Sequence, residues 1–426
     1  MKVRDKEDKA SWGLFWFCFI IYAIVSMSKS VFSASIASII SEGYFEKSQA
    51  GIINSGFYLL YGGAQLLGGR FLDKASPMKL LTISILGPML SVILMGLSDN
   101  FYTMMITWML NGLFQFALWP AILRILTEYL LPMHRQKAMT YISFAYCVGM
   151  LFNYFLAAVV LEFFSWRTLF FVEAAMLFLI LLMWLLVAGK MIDILKEARK
   201  TYKPLKSLGD DKAEKKEKES EKESTGIFKL LVKSGAIILL IPAFIKCCLD
   251  LGVKTWVPTM IMESYSGVSA SFATMLTAVL VLVNLLGVYV VDWIYPKYIK
   301  NAVSTFAVCF VISLPFAALM LLIGKVSVWL IIVMLMVITT MMYAVNRLVT
   351  IIIPSFFTEY GRAGSISAIL NAAASFGAVV SNYGYGFLAE NFGWTGTIIS
   401  WIIMSIIAVV VTYITVPVWK KFTKEK

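Results

Sequence analysis

Apolar residues run along this chain in twelve long blocks, at 11–40, 50–72, 79–97, 101–129, 138–162, 168–189, 234–261, 268–292, 302–324, 327–357, 363–388 and 394–418. A bilayer core about 30 Å thick takes roughly 20 apolar residues per helix, so each block predicts one membrane crossing. The longer blocks are accommodated by tilt or by extension into the interface. An even number of crossings returns the chain to the side on which it starts. Residues 190–233 interrupt the series with 13 Lys or Arg and 9 Asp or Glu. That segment is too polar to bury enough apolar area to offset its chain entropy, and it reads as a loosely ordered linker. The pattern therefore predicts an all-α membrane protein with three parts. These are an N-terminal six-helix bundle at 1–189, a charged linker at 190–233 and a C-terminal six-helix bundle at 234–426.

Composition narrows the function. The 426 residues are 60% hydrophobic and only 15% charged, with a mean hydropathy of +0.82, against roughly a quarter charged in ordinary soluble domains. Twelve crossings leave no room for a soluble catalytic domain. No Walker sequence, metal-binding cluster or catalytic triad is present, so neither enzyme activity nor a cofactor is expected. The net charge of +12 is unevenly placed. Lys and Arg crowd the N-terminus, residues 70–79 and 134–137, the linker, residues 297–300 and the C-terminus. The intervening loops hold only Lys47, Arg167 and Lys325 beside several acids. Basic loops mark the cytoplasmic side, which places both termini in the cytoplasm and the protein in a plasma (inner) membrane. A nucleic-acid surface is the losing explanation. All five cysteines (Cys18, Cys147, Cys247, Cys248, Cys309) fall within predicted spans, where no disulfide framework or metal site is expected.

Weak internal echoes support two related halves. Gly69-Arg70-Phe71-Leu72-Asp73-Lys74 closes the second span, and Gly287, Asp292 and Lys297 recur at the end of the eighth. Trp166 and Trp394 follow aromatic stretches after the fifth and eleventh spans. The segment from Gly69 to Lys79, with Asp73 and Lys74, resembles the loop motif of the major facilitator superfamily. Larger blocks resemble its organophosphate:phosphate antiporter family, which includes glycerol-3-phosphate and hexose-phosphate transporters. They are Tyr22-Ala23 through Phe32, Phe57-Tyr58 through Tyr61-Gly62, Trp108 through Gln115, Trp119-Pro120 with Arg124, Trp166-Arg167, Trp256-Val257-Pro258-Thr259 and Gly393-Trp394. The resemblance covers most of the chain outside the linker. It implies two pseudo-symmetric bundles with a solute site near the bilayer midplane.

The resemblance also implies where solute-binding side chains should lie, and several of them differ here. The family's first-helix arginine falls at Lys29, the second-helix lysine at Gln65, the fifth-helix histidine at Tyr146 and the seventh-helix arginine at Asp250. Lysine keeps the charge but lacks the bidentate fork that suits phosphate. One cation instead of two, with an acid added, makes a weak dianion site, so a carboxylated solute is expected. Arg347, in a span where the family usually has an aromatic, is an additional cation.

Ionisable residues inside a span are functional candidates, because a charge at bilayer centre costs about 2.5–3.5 kcal/mol or more. Lys29, flanked by serines, and Arg347 are expected to clamp an anion from the two halves, with Tyr61, Gln65, Trp119, Tyr146 and Asn346 as substrate-binding neighbours. Arg347 could alternatively pair with Asp250. Asp250 lies between Lys246 and Lys254 at i, i+4 and i+8, where it is either a neutralised member of a charge ladder or a coupling proton carrier. Arg124 is expected to bond Glu128 or the adjacent loop, and Glu173 to sit near the outer end of its span, facing water.

The expected function is secondary active transport of a small polar organic anion or zwitterion, with protons or phosphate as coupling ion and a monomer as the working unit. An organophosphate:phosphate antiporter, a transporter-like sensor of a sugar phosphate and a drug exporter are the competing readings.

Overall fold

The computed structural model describes residues 2–67, 75–201, 227–360 and 362–424; the loop motif at 69–74 and residues 202–226 of the charged linker lie outside them. Secondary structure among the described residues is helical throughout. Nine segments are long and apolar enough to cross a membrane. They are α1 (Glu7–Ser41), α3 (Pro77–Leu97), α4 (Phe101–Tyr129), α5 (Pro132–Phe163), α6 (Trp166–Ala198), α8 (Ala270–Ile299), α9 (Ala302–Leu322), α10 (Val328–Ser355) and a long stretch, Ala363–Thr423. Gly393 divides that stretch into α11 (363–392) and α12 (394–423), because its φ of 67° is a conformation only glycine adopts cheaply. Lys47–Leu67 forms α2. The run from Leu240 to Ser264 forms α7, broken by a π-helical turn at Cys248–Gly252. The described residues thus carry the twelve-helix pattern that the apolar blocks predict.

Local chemistry explains several helix boundaries. Asn100, Asn301 and Ser327 each turn a side-chain oxygen onto a backbone N–H at the start of α4, α9 and α10, satisfying donors that a helix start leaves open. Within α4 the helix is interrupted at Phe116–Ala117. Pro120 lacks the N–H that would bond the Phe116 carbonyl, and the break sits there for that reason. Large apolar side chains line the outside of the helices: on α6, Phe178, Leu179, Leu185 and Leu186 are each more than half exposed. Such a surface is stable against lipid tails and aggregates in water.

The chain divides into two compact units. The first comprises Met1–Phe45, Ile52–Leu205 and Ala270–Ala278; the second comprises Glu46–Gly51, Lys206–Ser269 and Val279–Lys426. The opening turn of α2 therefore counts with the second unit, where the Lys47 ammonium meets Glu263 at 2.9 Å and the Ser48 N–H donates to Glu390 at 2.9 Å. In the first unit, glycines allow very close helix contact. A β-carbon on Gly149 of α5 would run into the Ala23 carbonyl of α1, and one on Gly112 of α4 into the Phe57 carbonyl of α2.

Candidate functional site

In the first unit the site is built around a break in α1. The helix stops at Met27, turns through Ser28, Lys29 and Ser30, and resumes at Val31. The serines stabilise that turn: Ser28 Oγ donates to the Val25 carbonyl at 2.8 Å and Ser30 Oγ to the Met27 carbonyl at 3.2 Å. Amides from neighbouring helices complete it. Asn111 of α4 donates to the Ser28 carbonyl at 2.9 Å, Gln115 to Ser28 Oγ at 2.9 Å, and Asn153 of α5 to Ser30 Oγ at 2.9 Å. Asn54 of α2 donates to Ser33 Oγ and accepts from the Trp108 indole. Buried backbone polar groups must be paired, and this network meets that need at the interrupted turn while fixing Lys29 on it.

Lys29 is half-buried and faces a pocket lined by Tyr22, Ser26, Tyr61, Gln115, Leu118, Trp119 and Tyr146. Its ammonium lies 4.0 Å from the Tyr61 ring centre, 5.6 Å from Tyr58 and 5.8 Å from Tyr146. Tyr22 stands beside Trp119 at 5.2 Å, completing an aromatic wall. Among the described residues Lys29 has no acidic partner within salt-bridge distance. Ring faces attract a cation by about 0.5–2 kcal/mol, which orients the ammonium without cancelling its charge. The arrangement can receive an anionic group from the pocket.

The structure brings four of the sequence-predicted residues together here: Lys29, Tyr61, Trp119 and Tyr146. Gln65, one turn beyond Tyr61, is exposed and does not line the pocket. Tyr22 and Ser26 were missed as site residues. Their signal was legible, since positions 22, 26 and 29 follow the i, i+4, i+7 spacing of one helix face.

The second unit gathers a different set on α7 and α10. Lys246, Asp250 and Lys254 are all buried, at 6%, 9% and 6% exposure. Asp250 lies in the π-helical turn and forms an ion pair with Lys254. Lys246 instead donates to the side-chain oxygen of Asn346 on α10 at 2.9 Å. The expected three-residue ladder is therefore half formed. The Lys254 ammonium also lies 5.8 Å from the Tyr343 ring. Asn346 thus joins the lysine cluster, whereas its neighbour Arg347 does not.

Arg347 bonds Asp292 of α8 through two parallel contacts, Nε at 2.7 Å and Nη2 at 2.9 Å. The pairing falls on Asp292, not on Asp250, and the fork that an anionic solute would need is occupied by a carboxylate. Arg347 is a helix-fastening residue in this arrangement, which corrects the expectation of an anion clamp. Arg124 bonds Glu128 at 2.9 Å and the Ala75 carbonyl at 2.7 Å, as its position suggests. Glu173 is corrected as well: it is 1% exposed, buried in α6, with neither carboxyl oxygen hydrogen-bonded among the described residues. Asn284 accepts from Thr339 at 2.8 Å and fastens α8 to α10. No group of three metal-binding side chains occurs among the described residues, and the five cysteines are free and buried.

Comparison with known proteins places these features. The chain is similar over 97% of its length to a "Probable hexose phosphate transport protein" of Chlamydia pneumoniae, with 23% identity and 92% of that relative covered. A 108-residue stretch is 26% identical to the "Membrane sensor protein UhpC" of Escherichia coli strain K12, covering 25% of each chain. Among solved structures, a bacterial homolog of the human lysosomal transporter Spinster, in an inward-facing and occupied conformation, superposes with a TM-score of 0.76 at 13% identity. That match covers 97% of this chain and 98% of the other. The nucleoside transporter NupG superposes at 0.70 with 14% identity, over 96% and 99% of the two chains. Residues 18–381 match the family described as Major Facilitator Superfamily, a span that takes in the Lys29 pocket and the α7 lysines alike. A twelve-helix pattern, a pocket beside a broken first helix and a sequence match across most of the chain thus agree, and this multi-pass membrane protein belongs to the major facilitator superfamily.

Proposed function

We propose that this chain is a secondary transporter that exchanges small organic anions by alternating access, with the Lys29 ammonium holding the carboxylate of the solute. The observation that carries the reading is a lysine fixed on a broken helix, facing an aromatic-walled pocket, with no acidic partner among the described residues. A cation in a membrane span is costly unless it is neutralised, and an anionic solute supplies the missing charge. Ring faces of Tyr22, Tyr61, Trp119 and Tyr146 suit the apolar body of the solute, while Gln115 and Ser26 can bond its polar groups.

Exchange is favoured over proton symport because each unit holds a lysine inside an apolar helix that has no acidic partner among the described residues, Lys29 in one and Lys246 in the other. An unloaded carrier would reorient with both charges uncompensated, whereas a bound monoanion neutralises one of them and a dianion both. Both termini are assigned to the cytoplasm on the distribution of basic loops. A second reading, a sugar phosphate as the solute, draws support from the names of the Chlamydia relatives. A third, a sensor, draws on the shorter match to UhpC.

The test is counterflow in proteoliposomes holding purified protein, with labelled monocarboxylates and phosphate monoesters in parallel. The expected result is exchange of a carboxylate that Lys29→Gln abolishes while thermal unfolding of the variant stays normal. Undiminished exchange by that variant overturns the assignment of Lys29. Exchange of phosphate monoesters alone selects the second reading, and ligand binding without movement of any solute selects the third. Asp250→Asn with loss of pH-driven accumulation, and counterflow retained, would replace exchange by proton coupling.

A further inference from the structure

We infer that the short helix Ile227–Ser234, together with the end of α12, is a docking surface for anionic phospholipid headgroups. The helix is one-sided. Leu230, Leu231 and Ser234 are buried, whereas Phe228, Lys229, Val232 and Lys233 are exposed. The two exposed apolar residues are four apart, and so are the two lysines, so each pair shares a helix face. Phe228 is 68% and Val232 51% exposed, and apolar side chains that open call for an apolar neighbour.

Packing fixes the depth of this helix. It leads into Gly235, where a β-carbon would lie 3.1 Å from Val418 and 3.2 Å from Thr415 of α12. Val418 lies 24 residues beyond Trp394 at the start of α12, about 36 Å along the axis at 1.5 Å per residue. The hydrocarbon core is about 30 Å thick, so Val418 and the short helix stand where acyl chains give way to headgroups. Ile414, one turn before Val418, is 58% exposed and extends the apolar face. Lys420 and Lys421 follow Val418 within one turn and are exposed. Four lysines thus edge an apolar face at headgroup level. They outnumber Glu359, an acid at the same end, whose neighbour Tyr360 stacks on Phe422 of α12. A helix with Phe on one face and Lys beside it lies in the interface plane, and a cluster of four or more basic residues there attracts acidic lipid. Lysine stems can lie along the apolar face and lift their ammoniums to a phosphate. An acidic soluble protein would match the lysines but not Phe228 and Val232 at that depth, so the occupant is the lipid surface.

The test places a bimane label on Phe228→Cys in the full chain, whose five native cysteines are buried, and inserts the protein into nanodiscs. Either phosphatidylcholine or phosphatidylglycerol carries a nitroxide quencher, at equal mole fraction. The expected result is quenching by labelled phosphatidylglycerol equivalent to about fivefold local enrichment over phosphatidylcholine. Raising salt to about 1 M shortens the Debye length to about 3 Å and should remove the preference. Lys229→Gln with Lys233→Gln should lower the enrichment at least about twofold, and adding Lys420→Gln and Lys421→Gln should abolish it. Exposed substitutions of this kind change stability little, and the salt titration needs none of them. Equal quenching by the two lipids overturns the inference, as does a preference that high salt or the fourfold variant leaves unchanged. Quenching by aqueous iodide with none from either lipid overturns it too, and assigns the exposed face to a soluble partner instead.

Discussion

Lys29 and Lys246 are both lysines inside apolar helices, one in each compact unit, and their surroundings differ in kind. Lys29 sits at an interruption of α1, half-buried, with aromatic faces around its ammonium and a pocket in front of it. Lys246 is 6% exposed, hydrogen-bonded to Asn346, and accompanied on α7 by an Asp250–Lys254 pair. Ring faces leave the first charge available, while the second belongs to a cluster that carries its own counterion. A transporter needs a cation that can release its anion as well as bind it. A cage of rings gives weak, non-competing stabilisation, and an internal carboxylate gives a competitor that can take the place of the solute. The two units therefore hold a lysine inside a membrane helix in two different ways.

The comparison can be broken most directly at Lys29. Lys29→Gln is expected to lower counterflow about a hundredfold or more, since truncating one partner of a buried charge pair costs about 2–5 kcal/mol; initial exchange rates in proteoliposomes check this. Lys246→Gln should be milder, about tenfold, because Lys246 is not among the residues lining the Lys29 pocket and is already hydrogen-bonded to Asn346. Equal losses in the two variants would erase the proposed distinction.

Smaller effects sharpen it. Gly149→Ala places a methyl group against the Ala23 carbonyl and should force α5, with Tyr146, away from α1. A destabilisation of roughly 1–3 kcal/mol is expected from overpacking, read as a lower unfolding temperature, together with weaker solute binding. Arg347→Gln should cost about 0.5 kcal/mol, because the Asp292 pair is 30% and 45% exposed and solvent screens it. Exchange rates in that variant should stay near those of the unaltered protein. A loss as deep as that of Lys29→Gln would return Arg347 to the solute site.

Much of the fold was readable from residue order because the bilayer imposes it locally. An apolar block of the right length has few alternatives to a helix, since its backbone groups find no partners in lipid. The site was readable only in part. Lys29, Tyr61, Trp119 and Tyr146 were found because an ionisable residue in a span, and its matches to a known family, both pointed to them. Tyr22 and Ser26 required reading the helix face together with the pocket. Arg347 was misassigned because its acid lies 55 residues away on another helix, and spacing along one helix says nothing of that. Glu173 was placed near water on its position along the span, whereas the packing around α6 buries it.

What the residue order determined by itself is the number of crossings, the chemistry available within each, and the presence of a few ionisable groups where lipid tolerates almost none. Hydropathy is a property of short segments, so it survives without knowledge of the neighbours. What only the tertiary structure decided is which charges are matched. Asp292 neutralises Arg347, Asp250 neutralises Lys254, and Lys29 and Lys246 are left without an acid among the described residues. Electrostatic pairing falls off over a few ångströms and depends on side chains brought together by folding, so the functional identity of each lysine is set by its surroundings and not by its place in the chain.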